Sequence, residues 1–485
     1  MPACNFTRRD LLRWTAAAAA AGAIADLGLE PSYAAKAGSI VPVNLELVTL
    51  AEDHAVITWY TGAAGTDDGT GRMVPAPAEG VVHYGTHPGR LNKVAHGIGG
   101  KTPYHHVELT GLEPGQTYYY QARSNGKRAQ PTVMTLAGGN AVGTSDYRVA
   151  RGGPYAFTTP HAPHGSHLFN IVLCNDLHLG ETVAGLVSGL GAGISQAPGL
   201  PPYPEVMLRS LLHDVKRFKP RYLLAAGDLS SEAEPVDLSR AGQMLSTFGT
   251  YKKDYFVTRG NHDRAHEGDA YADCRVGEWQ GNDCFQDAYF PKDEVTYFSR
   301  DLSGLHVVGL DTYDKAGDGG DAGGLSAAQM DWFEADLAAH KDQPTVVFGH
   351  HPLTVEKSAF PASAGEALDP AQASTILDWY AKTPGVFLHH AGHTHRNHRT
   401  IYDQAPKVTH MEVAAAKEYP GGYSVLRLHT GGYALNFYKA TSEHAREWNE
   451  RTRQEISGLW PQFAFGNTVS DRNAVVRADL SGLKR

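Results

Sequence analysis

Apolar and polar residues alternate along the first part of the chain. Between about residues 42 and 159, short segments with this pattern are separated by turn-forming residues, and no helical periodicity interrupts them. Alternation with a period of two is typical of strands that bury one face. We therefore expect a small all-β sandwich over residues 38–160. Its clearest strands read NLELVTLAEDHAVITWY, GVVHYG, HHVELTGLEPGQTYYYQARS and YAFTTP.

The pattern changes after the linker TTPHAPHGSH. Continuous apolar runs such as LFNIVLC, RYLLAAG and PTVVFGH now alternate with helical segments such as PEVMLRSLLHDVKRF and SAAQMDWFEADLAAH. Apolar strands separated by helices indicate a sheet covered on both faces, and so an α/β layered domain over residues 161–440. The late strands KVTHMEVAA, YSVLRLH and YALNFYK are expected to extend or complete a second sheet. Residues 441–485 are predicted to form a tail with one helix, AREWNERTRQEISGLW.

Residues 1–37 have the features of an export signal. Arg8 and Arg9 precede an alanine-rich apolar run, and Ala35-Lys36-Ala37 offers a cleavage site. The paired arginines favour the twin-arginine route. A membrane anchor is the alternative, but the apolar run is shorter than a bilayer requires. We expect an exported protein, periplasmic, secreted or at the cell surface, without a transmembrane segment in the mature chain.

Composition adds two constraints. A chain of 485 residues usually folds as two domains, and a net charge of −9 does not favour a nucleic-acid groove. Of the four cysteines, Cys4 lies in the signal and Cys174 in an apolar run. Cys274 and Cys284 are therefore the pair expected to form a disulfide in an exported protein, and two free thiols are the alternative.

Candidate chemistry follows the ends of five predicted strands. In open α/β sheets the carboxyl ends of the strands share one crevice, so side chains distant in sequence meet there. Carboxylate, amide and imidazole groups together form a ligand set for first-row metal ions. The clusters are Asn175-Asp176-Leu177-His178, Gly227-Asp228, Gly260-Asn261-His262-Asp263, Gly349-His350-His351-Pro352 and Gly392-His393-Thr394-His395.

In this order the clusters resemble the calcineurin-like metallophosphoesterases, whose signature is D-x-H, G-D, G-N-H-[D/E], H and G-H-x-H. The resemblance implies two divalent or trivalent metal ions bridged by Asp228. It assigns one ion to Asp176, His178 and His395, and the other to Asn261, His350 and His393. Iron, manganese and zinc all accept this mixed nitrogen and oxygen set.

The same resemblance suggests roles for residues that are not ligands. His262 is expected to protonate the leaving oxygen or stabilise its charge, and Asp263 to orient His262. His351 competes with His350 for the ligand position, and the H-x-P arrangement favours His350. His389 and His390 lie inside the strand and are expected to be structural.

Two further resemblances refine the interpretation. VELTGLEPGQTYYYQ resembles a strand and turn of fibronectin type III domains, and the two-domain layout is similar to that of purple acid phosphatases. Those enzymes place a tyrosine three residues after the bridging aspartate, where this chain has Ser231, and end the first motif in glycine, where it has His178. We therefore expect no charge-transfer colour. GDLSSEA also lacks the second aspartate and the arginine of the related protein phosphatases, which argues against phosphoprotein substrates.

The sequence therefore predicts an exported binuclear phosphoesterase. The motif combination most resembles bacterial phosphodiesterases, with small-molecule or lipid-derived phosphate esters as substrates and no nucleic-acid partner. An acid-phosphatase-like phosphomonoesterase is the alternative. A remote alternative is an envelope-binding protein with a vestigial phosphoesterase fold. The long loops 180–204 and 264–290 are expected to select the substrate as lids, or else to be ordinary surface loops.

Overall fold

The structure is a computed structural model. It describes residues 39–67, 72–131, 154–185, 193–264, 283–291, 294–314, 321–355, 367–458 and 460–484. The predicted signal, Cys274 and the middle of both candidate lid loops lie outside these ranges.

The N-terminal domain consists of two antiparallel sheets. One has the strand order β1-β2-β5, and the other has the order β4-β3-β6-β7 with β8 also paired to β6. Their bounds are β1 (Ile40–Leu50), β2 (His54–Ala63), β3 (Ala78–Gly85), β4 (Lys93–Thr102), β5 (Tyr104–Thr110), β6 (Thr117–Ser124), β7 (Lys127–Arg128) and β8 (Tyr155–Thr158).

Alternate side chains of these strands form the core of the domain. In β2, Ala55, Ile57 and Trp59 point inward and pack against Val82 and Tyr120 of the opposite sheet. Such alternation is what two facing sheets require, because each strand buries every second residue. The predicted all-β domain is confirmed.

The second domain is built on two larger sheets. The first has the order β13-β12-β9-β20-β21 and the second the order β14-β15-β16-β17-β19-β18. The strands of the first sheet are β9 (His164–Cys174), β12 (Tyr222–Ala226), β13 (Tyr255–Thr258), β20 (Gly422–Lys439) and β21 (Asn473–Arg477). Those of the second are β14 (Phe298–Leu302), β15 (Leu305–Gly309), β16 (Thr345–Phe348), β17 (Val386–Ala391), β18 (His398–Thr400) and β19 (Thr409–Glu412). A separate hairpin joins β10 (Val183–Ala184) to β11 (Ile194–Ser195).

Helices cover both sheets. They are α1 (Tyr203–Asp214), α2 (Pro235–Leu245), α3 (Cys284–Tyr289), α4 (Ala327–Ala339) and α5 (Pro370–Lys382). Val307 of β15 belongs to the large core shared by the two sheets, α1 and α2. Its neighbour Val308 belongs to a separate core with Phe333 of α4 and Ile376 of α5. The predicted α/β layered domain is therefore confirmed.

Local sequence explains where these helices begin. The hydroxyl of Ser326 accepts a hydrogen bond from the amide of Gln329 at the start of α4. At α5 the carboxylate of Asp369 caps two amides, and Pro370 occupies the first helical turn, where its missing N–H costs nothing. None of the described helices combines the length and apolar character needed to span a membrane.

The C-terminal region contains more structure than the one predicted helix. It forms α6 (Glu443–Thr452), α7 (Glu455–Gly458), α8 (Trp460–Ala464) and the edge strand β21. The predicted helix is interrupted between α6 and α7, at Arg453 and Gln454, and Ile456 and Gly458 of α7 adopt left-handed backbone angles, with φ of 50° and 79°. β21 pairs with β20, so the region completes the first sheet.

Candidate metal centre

The predicted ligands follow strand ends that meet at one edge of the domain. The strands β9, β12 and β13 run parallel in the first sheet, and β15, β16 and β17 run parallel in the second. Asp176, Asp228 and Asn261 follow the first group, while His350 and His393 follow the second. The two sheets therefore contribute to one site, as the motif order predicts.

Backbone strain is concentrated in these ligands. Five of them adopt the left-handed region that side chains rarely occupy. Each such residue costs about 1–3 kcal/mol, so the surrounding structure must enforce the conformation. The φ angles are 52° for Asp176, 45° for His178, 51° for Asp228, 68° for His393 and 52° for His395.

A first cluster consists of Asp176, His178, Asp228 and His395, each offering a ligand atom within 4.8 Å of the others. Nε2 of His395 lies 3.1 Å from Oδ1 of Asp176. Nε2 of His178 lies 3.3 Å from Oδ2 of Asp228. Asp176, His178 and Asp228 are buried, so the carboxylates and imidazoles face one another away from solvent.

A second cluster consists of Asp228, His350 and His393. Nε2 of His350 lies 3.1 Å from Oδ2 of Asp228 and 3.2 Å from Nδ1 of His393. Asn261 is also buried, and its amide nitrogen donates to Asp321 at 3.3 Å, which leaves its oxygen as the ligand atom. Asp228 belongs to both clusters, as expected of a bridging ligand.

The donor atoms of the two clusters fit metal ions. Buried polar atoms are nearly always hydrogen-bonded, because leaving one without a partner costs about 1–3 kcal/mol. Here several buried polar atoms of the candidate ligand residues have no hydrogen-bond partner in the described part of the chain. They are Oδ1 of Asp176, both ring nitrogens of His178, Oδ1 of Asn261 and Nε2 of His393.

The electrostatics keep both carboxylates ionised. Burial alone would raise the pKa of Asp176, but the nearby imidazoles of His395 and His178 hold that pKa well below its usual value. Burial likewise opposes ionisation of Asp228, and His350 and His262 more than offset it, so its pKa is also lowered. Ionised carboxylates are the form that binds a cation.

His262 lies beside the first cluster without belonging to it. Its ring lies 4.7 Å from that of His178, centroid to centroid. Its Nδ1 lies 2.6 Å from the carbonyl oxygen of Ser231, so that nitrogen carries a proton and donates it. Burial lowers the pKa of His262. Nδ1 is committed to the hydrogen bond with Ser231, and Nε2 is therefore the candidate atom for proton transfer.

Asp263 has a different set of contacts from the predicted one. Its carboxylate accepts hydrogen bonds of 2.9–3.1 Å from the backbone amides of Leu229, Ser230 and Gly260 and from the hydroxyl of Ser230. These bonds join the loop after Asp228 to the loop that carries Asn261. Asp263 therefore positions two ligand loops, whereas the imidazole of His262 is oriented by the Ser231 carbonyl.

The other candidate histidines have structural partners. Nδ1 of His351 lies 2.8 Å from the hydroxyl of Thr312, and its Nε2 lies 2.9 Å from the carbonyl oxygen of Asp321. Both ring nitrogens of His351 are thus engaged, which favours His350 as the candidate ligand. His389 is buried and shares a 2.7 Å hydrogen bond with the hydroxyl of Tyr380.

Two supporting acids were not anticipated from the sequence. Glu418 contacts Nδ1 of His395 at 2.7 Å. Glu412 accepts from the hydroxyl of Thr394 at 2.5 Å and from two guanidinium nitrogens of Arg396 at 2.7 and 2.9 Å. Glu412 directly follows the apolar Met411 at the end of β19, whereas Glu418 lies in the connection after β19 and carries no such signal. A carboxylate placed as Glu418 is fixes the orientation and tautomer of a metal-binding imidazole, whereas Glu412 holds the neighbouring residues Thr394 and Arg396.

Cys284 is disulfide-bonded. Cys274, its predicted partner, lies outside the described residues. Cys174 is a free, buried thiol at the end of β9.

Comparison with known families agrees with this geometry. Residues 169–397 match the sequence profile of the calcineurin-like phosphoesterases, and residues 40–135 match that of the purple acid phosphatase N-terminal domain. No curated protein matches the chain.

Several solved structures have a similar fold. Purple acid phosphatase PPD1 from yellow lupin (Lupinus luteus) seeds shares 16% identity, with 82% of this chain and 72% of that chain covered and a TM-score of 0.40. A dimetal phosphatase from Danio rerio shares 14% identity, with 57% and 98% covered and a TM-score of 0.41. PhoD shares 11% identity, with 81% and 85% covered and a TM-score of 0.38.

The chain thus carries a calcineurin-like phosphoesterase domain, residues 169–397, behind a purple acid phosphatase N-terminal domain, residues 40–135. It is a metal-dependent phosphoester hydrolase.

Proposed function

We propose that the protein is a binuclear phosphodiesterase acting on small-molecule or lipid-derived phosphate esters. The observation that carries the proposal is the position of Asp228, which belongs to both ligand clusters. When bound, two metal ions would lower the pKa of a water molecule and neutralise charge on the phosphoryl group in the transition state. Asp176, His178 and His395 would hold one ion, and Asn261, His350 and His393 the other.

His262 supplies the proton that the reaction needs. Cleavage of a phosphoester bond leaves an alkoxide, which becomes a better leaving group when it is protonated during the step. In the imidazolium form, Nδ1 donates to Ser231 and Nε2 can transfer its proton to the leaving oxygen. The 2.6 Å contact with the Ser231 carbonyl fixes the ring for this transfer.

The charges around the centre favour a diester. Lys417 is held by Glu181 at 2.6 Å and by Glu418 at 3.0 Å. Arg259 is held by Asp283 and Asp311 at 2.6 and 3.0 Å. Both cations are already paired with carboxylates, so little of their positive charge is left to stabilise a second negative charge on the substrate. A diester carries one negative charge and a monoester up to two, so this pairing of the cations favours the diester. Phosphomonoesterase activity is the second candidate function.

The deciding experiment compares an aryl phosphodiester with the matching aryl phosphomonoester. Metal-replete protein and an Asp228→Asn variant are assayed side by side, with Asp342→Asn as a control at an exposed carboxylate. Preferential diester hydrolysis that Asp228→Asn abolishes and Asp342→Asn retains supports the proposal. A monoester preference moves the assignment to the phosphomonoesterase. Full metal content without hydrolysis of either ester favours a narrow substrate, and absent metal favours the vestigial binder.

We also propose that the protein is exported through its N-terminal segment. Arg8 and Arg9 precede the apolar run, and Ala37 ends the predicted cleavage site. Replacing both arginines by lysine, which keeps the charge, should retain the protein inside the cell when fractions are probed. Equal export of the lysine variant would exclude the twin-arginine route.

A further inference from the structure

Glu46 of β1 lies at the centre of a buried ionic network between the two domains. Its carboxylate accepts a 2.5 Å hydrogen bond from the hydroxyl of Tyr419, pairs with Lys439 at 2.5 Å and also pairs with Arg453. Glu46 is only 1% exposed. A buried carboxylate is tolerated only when it is paired and hydrogen-bonded, so this network has a defined geometry.

Both the side chain and the backbone of Tyr419 are held by specific contacts. Its ring faces the cations of Lys439 at 4.5 Å and Arg453 at 4.8 Å. Its backbone amide donates to the hydroxyl of Thr452 at 2.9 Å, and its carbonyl accepts from the indole of Trp460 at 3.0 Å. The hydroxyl of Tyr419 is thus held by Glu46 of the sandwich domain, and its backbone is held by Thr452 and Trp460 of the C-terminal helices.

Glu418, the residue just before Tyr419, contacts a residue of the candidate metal centre. Glu418 contacts Nδ1 of His395 at 2.7 Å, and the other nitrogen of that ring, Nε2, lies 3.1 Å from Asp176. The carbonyl of Lys417 accepts from the indole of Trp448 at 2.7 Å. A carboxylate on one nitrogen of an imidazole directs the lone pair of the other nitrogen to the metal.

We propose that Tyr419, held by Glu46, is a positioning residue that fixes Glu418 and, through it, the metal ligand His395. The sandwich domain then contributes to the affinity of the first metal site although it supplies no ligand. The inference rests on the two metal sites of the proposed function, but not on the substrate. It predicts a defect at one metal site and not at the other.

The test is a calorimetric titration of the full-length, metal-free protein with Mn²⁺. Tyr419→Phe removes only the hydroxyl that bonds Glu46. We expect Mn²⁺ affinity at one of the two sites to fall by about 10-fold and affinity at the other to be unchanged. Thr452→Val, a near-isosteric change that removes the acceptor of the Tyr419 amide, should give the same one-site defect and serves if Tyr419→Phe does not fold.

Tyr433→Phe is the matched control. Tyr433 is also fully buried, and its hydroxyl bonds Thr409 at 2.7 Å rather than the Glu46 network. This variant should bind two Mn²⁺ with wild-type affinities. A general effect of losing a buried tyrosine hydroxyl would instead weaken Tyr433→Phe and Tyr419→Phe alike, which would overturn the inference.

A double mutant separates positioning from general destabilisation. If Tyr419 acts through Glu418, then Tyr419→Phe combined with Glu418→Gln should bind Mn²⁺ no more weakly than Glu418→Gln alone. Additive losses, or unchanged affinity in Tyr419→Phe, overturn the inference while the two-site proposal stands. A wild-type protein that binds fewer than two Mn²⁺ overturns the binuclear proposal itself, and this inference with it.

Discussion

The backbone amide of His262 donates a 2.9 Å hydrogen bond to the carboxylate of Asp228. This bond places His262 beside Asp228, the proposed bridging ligand, and His262 belongs to neither ligand cluster. A residue so placed should affect the chemical step more than metal binding. We expect His262→Asn to retain its bound metal and to lower kcat by about 10²–10⁴-fold for substrates with poor leaving groups.

Leaving-group dependence provides the control for this prediction. Aryl esters whose leaving phenolate is a weak base need little protonation, so His262→Asn should lose much less activity on them. Because burial lowers the pKa of His262, the part of the rate that depends on its proton should rise as pH falls. Rates measured on a series of aryl diesters from pH 5 to 8 test both points. An equal loss on every ester would exclude a proton-donor role.

Gly260 should be intolerant of even one added methyl group. A Cβ at this position would lie 2.0 Å from Oδ1 of Asp228 and 2.4 Å from its backbone nitrogen. The backbone cannot yield without moving the bridging ligand, so Gly260→Ala should lose bound metal and activity together. Metal analysis by mass spectrometry measures the loss. Gly89→Ala, where a Cβ would meet nothing within 4 Å, is the matched control and should bind metal normally.

The sequence could predict which candidate ligands lie together, because these residues follow the ends of strands. Asp228 and His350 each follow an apolar run that forms a strand. Parallel strands bring their carboxyl ends to one edge of the sheet, whatever the length of the loops between them. Glu418 carries no such signal, since it lies 23 residues beyond His395 and meets it only through the connection between β19 and β20. The contact between Glu418 and His395 forms only in the tertiary structure, and no local sequence pattern predicts it.

Glu46 shows the same limit in the sandwich domain. In NLELVTL it occupies a position that alternation assigns to a polar, solvated face, yet it is buried against β20 and α6. The partners that bury it, Lys439 and Arg453, lie about 400 residues further along the chain. The sequence pattern does not predict strand β21 for a similar reason, because its pairing partner is the C-terminal half of β20. The period of apolar positions and the intrinsic propensities of the residues predict helices and strands. Contacts between domains become visible only in the folded structure.

Arg396 should stabilise the loop that carries His393 and His395. Its guanidinium forms two hydrogen bonds with Glu412, and both side chains are less than 10% exposed. Removing one partner of a buried pair leaves an uncompensated charge, so Arg396→Ala should lower the free energy of unfolding by about 3–5 kcal/mol. Urea denaturation of the metal-free protein measures this. Arg209→Ala, which removes an exposed contact with Glu205 at 3.5 Å, should change it by less than about 0.5 kcal/mol.

The pH dependence of stability should reveal the ionisation of Glu450. Burial raises the pKa of Glu450 to about 7, against a usual value of 4.5, and the nearby carboxylate of Glu46 adds to the shift. Because the folded-state pKa is the higher one, the folded protein holds this proton more tightly than the unfolded chain. The stabilisation is complete below about pH 4.5 and is lost as pH rises towards and through 7.

Glu450→Gln isolates this contribution, because glutamine cannot ionise. The wild-type protein should lose stability relative to the variant by as much as about 3 kcal/mol between pH 5 and 8. Urea unfolding of metal-free wild type and Glu450→Gln over that range gives the difference directly. Other titrating groups are common to both proteins and cancel in the comparison. Parallel stability curves would show that Glu450 is already ionised in the folded protein, since Asn44 and Arg453 would then compensate its charge fully.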